Sequence, residues 1–428
     1  MLPLKNNNPL PQPAPEISRP ESPEDQALVP QKTDWLRIGQ FAFSSLAAFI
    51  LVGIFLVSTL FLLIRDSTFL LGLPGGSELS PYLFSAGLGC MGLLMVPSAV
   101  YAARGLFGSG QPRQLRWGKF AWIGYIAPLP LLLGFGIQNG PDWARGFLPV
   151  AHVLANTAGV IFLLNIVWAK IPGESPGRFW GALAAGLGLT PLVTFFLEIL
   201  ILFGIGLVWM GLIGLMPEVR QELLDLTSRL QTSSASSEDL QLALGRFAAS
   251  PGVLFTLFTY VAFLIPVVEE LLKPAAVWLL LRRKLQPWEG FLIGATSGAG
   301  YALFENLTIG AAGDVWTFVT ITRLGTAAVH IFTAGMMGWG LASAFTEKEY
   351  GRAVGAFFWA VFLHGAWNGM NVLSALGEYP AVRERLGGLG ASLADFAPAA
   401  LVLIALGCFW GLIRANKTFR RAIMAGSN

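Results

Sequence analysis

Ten stretches of the chain are apolar over roughly the 20 residues that a membrane-spanning helix needs. They lie near residues 39–64, 81–103, 118–137, 148–169, 179–214, 252–281, 289–312, 317–345, 353–376 and 397–415. The pattern predicts an all-α fold, a polytopic transmembrane helix bundle of about ten spans. The fifth and sixth stretches are over-long, and Pro191 in one and Pro266 and Pro274 in the other predict kinks or tilt. Two segments break the pattern. Residues 1–34 are rich in Pro, Asn, Gln, Ser and Glu with no apolar run, which predicts a disordered tail rather than a signal peptide. Residues 216–250 hold PEVRQELLDLTSRL, with Val219, Leu223, Leu224, Leu226 and Leu230 at near-helical spacing, followed by the polar QTSSASSED. That linker predicts either an amphipathic helix on the outer leaflet or a cap on the bundle.

Charge placement orients the bundle. With both termini cytoplasmic, the run Arg282-Arg283-Lys284, then Lys348, Arg352, Arg414, Lys417, Arg420 and Arg421, falls inside. The outer segments keep only Arg65, Arg145, Arg220, Arg229, Arg246, Arg383 and Arg385, an asymmetry that follows the positive-inside rule. Trp35, Trp117, Trp143, Trp180, Trp288 and Trp316 fall near span ends, where indoles anchor at the interface. The organisation read this way is a tail (1–34), an N-terminal membrane region of about five spans (35–215), the polar linker (216–250), a core of four consecutive spans (251–376), and a loop, last span and basic tail (377–428).

Composition narrows the class further. Of 428 residues, 54% are hydrophobic and 12% charged, about half the charged share of a soluble domain. A net charge of +3, with no basic run interleaved with aromatics, argues against nucleic acid as a partner. Cys90 and Cys408 both sit in apolar stretches, which argues against a disulfide.

Ionisable side chains within a bilayer are costly and mark function, and here most gather in the four core spans. VVEELLKP supplies Glu269, Glu270 and Lys273; GYALFEN supplies Glu305; the eighth stretch supplies Arg323 and His330; FLHGAWNG supplies His364 and Asn368. At ~1.5 Å per residue, Glu269, Glu270, Glu305, His330 and His364 can meet within one slab in the middle to cytoplasmic half of the membrane, so cleavage near that face is the expectation. Glu269 and Lys273 are i,i+4 and share a helix face, as do His364 and Asn368, whereas Glu270 points ~100° away towards another partner. Pro274 leaves the Glu270 carbonyl without its helical donor. Arg323 lies near enough to the outer end to snorkel. Gly290, Gly294, Gly298 and Gly300 give the seventh stretch a smooth strip for close packing. Adjacent carboxylates in low dielectric disfavour double ionisation, and one charged and one protonated carboxyl suits water-activating acid–base chemistry.

The order EExxK, aromatic-xxx-EN, a histidine-bearing helix, then HxxxN resembles the PrsW family of membrane-embedded endopeptidases, itself similar to the CAAX-prenyl endoprotease and Abi superfamily. Glu269 to Lys273, Tyr301 to Asn306, His330 in AVHIFTAGMMG, and His364 to Asn368 carry the resemblance, which covers about residues 252–376. It implies a glutamate-dependent intramembrane protease of a bacterial-type plasma membrane, with lipid and a membrane-spanning protein substrate as partners. Characterised members cut a membrane-spanning anti-sigma factor, so regulated proteolysis of such an anchored regulator is the implied biology. Glu269 or Glu270 would activate water, and His364 and Asn368 would stabilise the oxyanion or position that water. Lys273 would tune the pair, and Glu305 and His330 would orient groups or relay protons.

Other classes compete. The same carboxylates and imidazoles, Glu269, Glu270, Glu305, His330 and His364, could bind zinc, although no HExxH motif is present; the favoured reading needs no cofactor. A transporter or proton relay also uses intramembrane Glu, Lys and His, but no inverted repeat is evident. Serine-type chemistry lacks its motif, and membrane Asp residues for an aspartyl pair are absent. His152 and Glu198 read as structural, with Arg323 as a potential partner for Glu198.

Overall fold

In the computed structural model of the protein, residues 34–65, 79–108, 121–171, 175–213, 217–231, 245–309 and 315–426 are described. The tail (save Asp34), the QTSSASSED run after Gln231, and Trp117 lie outside them. Helices account for the regular structure, with no strand among the described residues. Residues from Leu36 onwards form one compact unit.

The helices are α1 (Trp35–Arg65), α2 (Ser80–Phe107), α3 (Pro128–Gln138), α4 (Leu148–Trp168), α5 (residues 176–213) and α6 (Pro217–Gln231). They continue with α7 (residues 251–272), α8 (Ala275–Leu280), α9 (Pro287–Thr308), α10 (Trp316–Ala342), α11 (Tyr350–Leu376) and α12 (Pro380–Gly426). A π-helical turn interrupts α5 at Ala185–Leu189 and another interrupts α7 at Tyr260–Leu264. α12 bends at Gly387, whose φ of 68° is a left-handed conformation that glycine takes without strain.

Seven helical segments among the described residues are long and apolar enough to cross a membrane, so the chain is an integral membrane protein. Three of the ten expected spans miss these criteria, each for a physical reason. The 118–137 stretch is broken into Ala121–Tyr125 and the short α3, since Pro128 has no N–H to bond back to the Gly124 carbonyl. α9 and α11 are long enough, but glycine, hydroxyl, carboxyl, imidazole and amide side chains lower their apolarity.

α9 is the hub. Every residue from Gly290 to Leu303 is buried, as expected of a helix with small or apolar residues on all faces. A capping box between Gln286 and Glu289 starts it, with Pro287 at the first helical position. Its glycines divide between two neighbours. A Cβ on Gly290, Gly294 or Gly298 would strike the backbone carbonyls of Gly338, Ala334 or His330 on α10. A Cβ on Gly300 would instead strike α5, at Leu183 just before its π turn and at Leu187 within it. Met91, Met95, Leu163, Leu183, Leu187 and Leu303 fill the core around this hub. α1 and the second half of α5 turn large apolar side chains outward, Phe49 being 79% exposed, as lipid-facing helices do.

Gly298→Leu is expected to force α9 and α10 apart and to cost at least about 1–3 kcal/mol, the usual price of overpacking. Thermal unfolding in detergent should show a lowered midpoint for Gly298→Leu and none for Gly204→Leu, where a side chain meets open space. Equal midpoints would contradict this packing.

The tryptophan reading is corrected at one position. Trp35 and Trp143 are exposed, but Trp316 is 1% exposed. It packs over Gly134 and donates its indole N–H to His152 Nδ1 at 3.3 Å. Asn156 Nδ2 also lies 3.3 Å from that nitrogen, so His152 has a structural role.

Candidate active site

The site begins with a broken helix. Pro274 has no N–H, and α7 stops at Leu272 before resuming as α8. The carbonyls left without helical partners at the break are taken up by side chains. Trp278 Nε1 donates to Leu271 O (2.8 Å), Thr190 Oγ1 to Leu272 O (3.4 Å), and Ser297 Oγ to Lys273 O (2.6 Å). α5, α8 and α9 therefore clamp the turn that carries Glu269, Glu270 and Lys273.

Lys273 is fully buried and is the hub of the charges. Its Nζ donates to Glu270 Oε1 (2.8 Å), His330 Nδ1 (2.7 Å) and His364 Nδ1 (3.2 Å). It also lies 2.8 Å from Glu269 Oε2 and 4.9 Å from the centre of the Tyr301 ring, where a cation is attracted by the π face. Glu269 Oε2 nevertheless has no aligned hydrogen-bond donor among the described residues. The ion-pair distance and that missing bond agree once direction is considered, because the contact is close without the angles of a hydrogen bond. Glu270 lies against His364 as a different partner, yet it reaches Lys273 as well, so both carboxylates meet the ammonium.

Two imidazoles complete the cluster, with ring centres 4.9 Å apart and edge to face. Lysine only donates, so His330 Nδ1 is an acceptor. Its proton is therefore on Nε2, 3.0 Å from Glu305 Oε2. His364 Nδ1 lies 2.9 Å from Glu270 Oε1 as well as near Lys273, while its Nε2 faces Glu269 Oε2 across 3.8 Å. Glu305 also pairs with Arg323 NH2 at 2.5 Å, and Arg323 Nε donates to Asn306 Oδ1 at 3.0 Å. Arg323 thus turns inward instead of snorkelling, and Glu305, not Glu198, is its partner. Asn368 lines the same cavity, but its amide donates to Val261 O at 3.1 Å in the π turn of α7.

A cavity of about 520 Å³ adjoins the cluster. Glu269, Glu305, Arg323, His330, His364 and Asn368 form its polar wall, and Ile265, Phe318, Val319 and Trp367 are among its apolar lining. It runs to Ile309 and Phe318, at the ends of α9 and α10 remote from Arg282–Lys284. That direction counters the expectation of cleavage near the Arg282 end.

Sequence reasoning missed several neighbours. Ser297 and Thr190 act on backbone, and only the helix break creates their partners. Glu198 on α5 lies beside Glu269, and its backbone carbonyl accepts from Tyr260 Oη at 3.3 Å. The spacing of Thr190, Thr194 and Glu198 at i, i+4 and i+8 is a polar stripe on an otherwise apolar helix, a signal that was available.

Fold and cluster together define a polytopic integral membrane protein with a buried centre of carboxylates, imidazoles and one ammonium. Residues 230–387 match the family described as PrsW family intramembrane metalloprotease. Over that segment the chain is similar to the PrsW family, and the likeness supports an intramembrane protease, a hydrolase. No curated protein and no solved structure matches the chain.

The family description raises the question of a metal. Glu269, His330 and His364 each offer one ligand atom within 4.8 Å of the others, a carboxylate-and-imidazole set of the kind zinc takes. The hydrogen bonds around them do not suit an ion. Both ring nitrogens of His330 are committed, to Lys273 and to Glu305. The Lys273 ammonium touches Glu269 Oε2 and both imidazoles, so a dication on these residues would sit against a buried like charge. With Lys273 in place the donor set does not fit a metal.

Proposed function

We propose that the protein is an intramembrane endopeptidase that cleaves membrane-embedded protein substrates by glutamate-activated attack of water. The observation that carries this reading is Glu269 Oε2, buried, without an aligned donor, and facing His364 Nε2 across 3.8 Å on the wall of the cavity. Such a gap suits a bridging water, held by an acceptor and an imidazole. Glu269 takes a proton from the water, and the oxygen bonds to the scissile carbonyl carbon while the carbonyl electrons move to its oxygen. His364 Nε2–H steadies the oxyanion. Collapse breaks the C–N bond, and the proton held by Glu269 passes to the leaving nitrogen, yielding a carboxylic acid and an amine.

Glu270 is a positioning residue, holding Lys273 through Oε1, and Lys273 in turn donates to His364 Nδ1, which leaves the imidazole proton on Nε2. Glu305 and Arg323 hold His330 in its Nε2–H tautomer, and His330 in turn accepts from Lys273. The substrate this reading favours is a single-span protein, a membrane-anchored regulator such as an anti-sigma factor, in a bacterial-type plasma membrane. A bundle of about ten spans with both termini cytoplasmic puts the cavity's Phe318 end on the outer side.

The test is reconstitution in lipid vesicles with candidate single-span substrates, comparing wild type with the Glu269→Gln/Glu270→Gln double variant. Cleavage by wild type alone is the expected result; equal cleavage by both sinks the assignment. Asn368→Ala is expected to reduce cleavage only about fivefold, the worth of one hydrogen bond of ~1 kcal/mol, since its amide holds the Val261 carbonyl. A loss as deep as that of the double variant would instead put the Asn368 amide on the oxyanion.

A further inference from the structure

We propose that the Lys273 ammonium is the resident cation of the site, occupying the centre of a cradle that would otherwise bind a divalent metal. Four donor atoms converge on Nζ: Glu269 Oε2 and Glu270 Oε1 at 2.8 Å each, His330 Nδ1 at 2.7 Å and His364 Nδ1 at 3.2 Å. Two carboxylate oxygens and two imidazole nitrogens are a four-coordinate donor set for zinc or cobalt. These residues come from α7, α10 and α11, so three separate helices bring the donor atoms together. Metal bonds to N and O ligands are about 2.0–2.2 Å, so the cradle would need to contract by roughly 1 Å or less around an ion. The ammonium does the electrostatic part of an ion's work: it neutralises buried carboxylates and fixes the His330 tautomer.

Lysine differs from an ion in one respect that matters for the reaction. It cannot accept a lone pair, so it cannot polarise a carbonyl or a water by coordination. Activation of water then falls to a carboxylate, which is why the inference rests on the glutamate reading above and deepens it. It also accounts for a protease-family segment whose would-be metal ligands are hydrogen-bonded to an amine.

The experiment uses the full chain in lipid nanodiscs, with Co²⁺ as the probe. Wild type is expected to carry no stoichiometric divalent metal, to show no tetrahedral Co²⁺ absorption on titration, and to keep its thermal midpoint when Co²⁺ is added. Lys273→Ala, which vacates the centre, is expected to bind one Co²⁺ per chain with visible d–d bands, and its lowered midpoint should rise on metal addition, as ligand linkage requires. The same bands should vanish in Lys273→Ala/His364→Ala. Lys273→Arg keeps the charge and should bind no Co²⁺. Stoichiometric metal in wild type overturns the proposal, as does a folded Lys273→Ala that binds none. If Lys273→Ala does not fold even with Co²⁺, wild type decides: metal-free protein supports the proposal, and stoichiometric metal overturns it. Cleavage is scored separately on the same preparations. A metal-free wild type that cleaves nothing counts against the protease reading alone, and an active wild type loaded with metal counts against the resident lysine alone.

Discussion

Glu269→Gln should lower cleavage about 10²–10⁴-fold, the range a general base contributes, and leave thermal unfolding close to wild type. The neighbouring substitution, Glu270→Gln, should also abolish turnover but by another route. Glu270 is fully buried and holds Lys273, which in turn donates to His364, so its loss leaves an ammonium under-compensated and the donor to that imidazole unanchored. Its variant should therefore unfold at a lower temperature, whereas Glu269→Gln keeps the ion pair that holds the turn together. Paired measurements of cleavage and thermal midpoint separate the two. Identical midpoints would mean that the carboxylates are not divided between chemistry and support in this way.

Lys273→Met is expected to have the largest effect on stability. It keeps most of the side-chain volume but strips the charge from two carboxylates that are 5% and 0% exposed. Breaking a buried ion pair from one side costs about 3–5 kcal/mol, and here one cation serves both acids. The variant should show a sharply reduced yield of monodisperse protein and a much lower midpoint in detergent. Lys273→Arg should recover part of both, since the positive charge is retained. A Lys273→Met protein as stable as wild type would show that the carboxylates are neutral without their partner.

Much of the site could be read along the chain because its parts are local. Glu269, Glu270 and Lys273 occupy one turn, and the polar residues of the later helices stand out against apolar surroundings. The remaining features depend on contacts that sequence spacing cannot fix. Arg323 looked like an interfacial residue by depth alone, yet it reaches Glu305 and Asn306 on α9. His152 and Glu198 were alike as lone polar groups in apolar helices; the first proved to be packed beneath Trp316 and the second to border Glu269. The third apolar stretch met the length rule but not the geometric one, because composition does not say where a proline will break a helix. The glycine strip was legible as a packing surface, though not that Gly300 serves a different neighbour from Gly290, Gly294 and Gly298.

That strip also bears on how a substrate can arrive. Where α9 meets α10, backbone lies on backbone from Gly290–Gly338 to Gly298–His330, and the π turn of α5 closes the opposite flank at Gly186 and Ser297. Seams without side chains have nothing to rotate aside, so they cannot serve as doors. The cavity wall made by Val261 and Ile265 on α7 and by Phe318 and Thr322 on α10 is built from side chains and a widened helical turn. A membrane-spanning polypeptide approaching sideways through the lipid would find its threshold there, with the rigid seam of α9 and α10 serving as the anvil against which it is held.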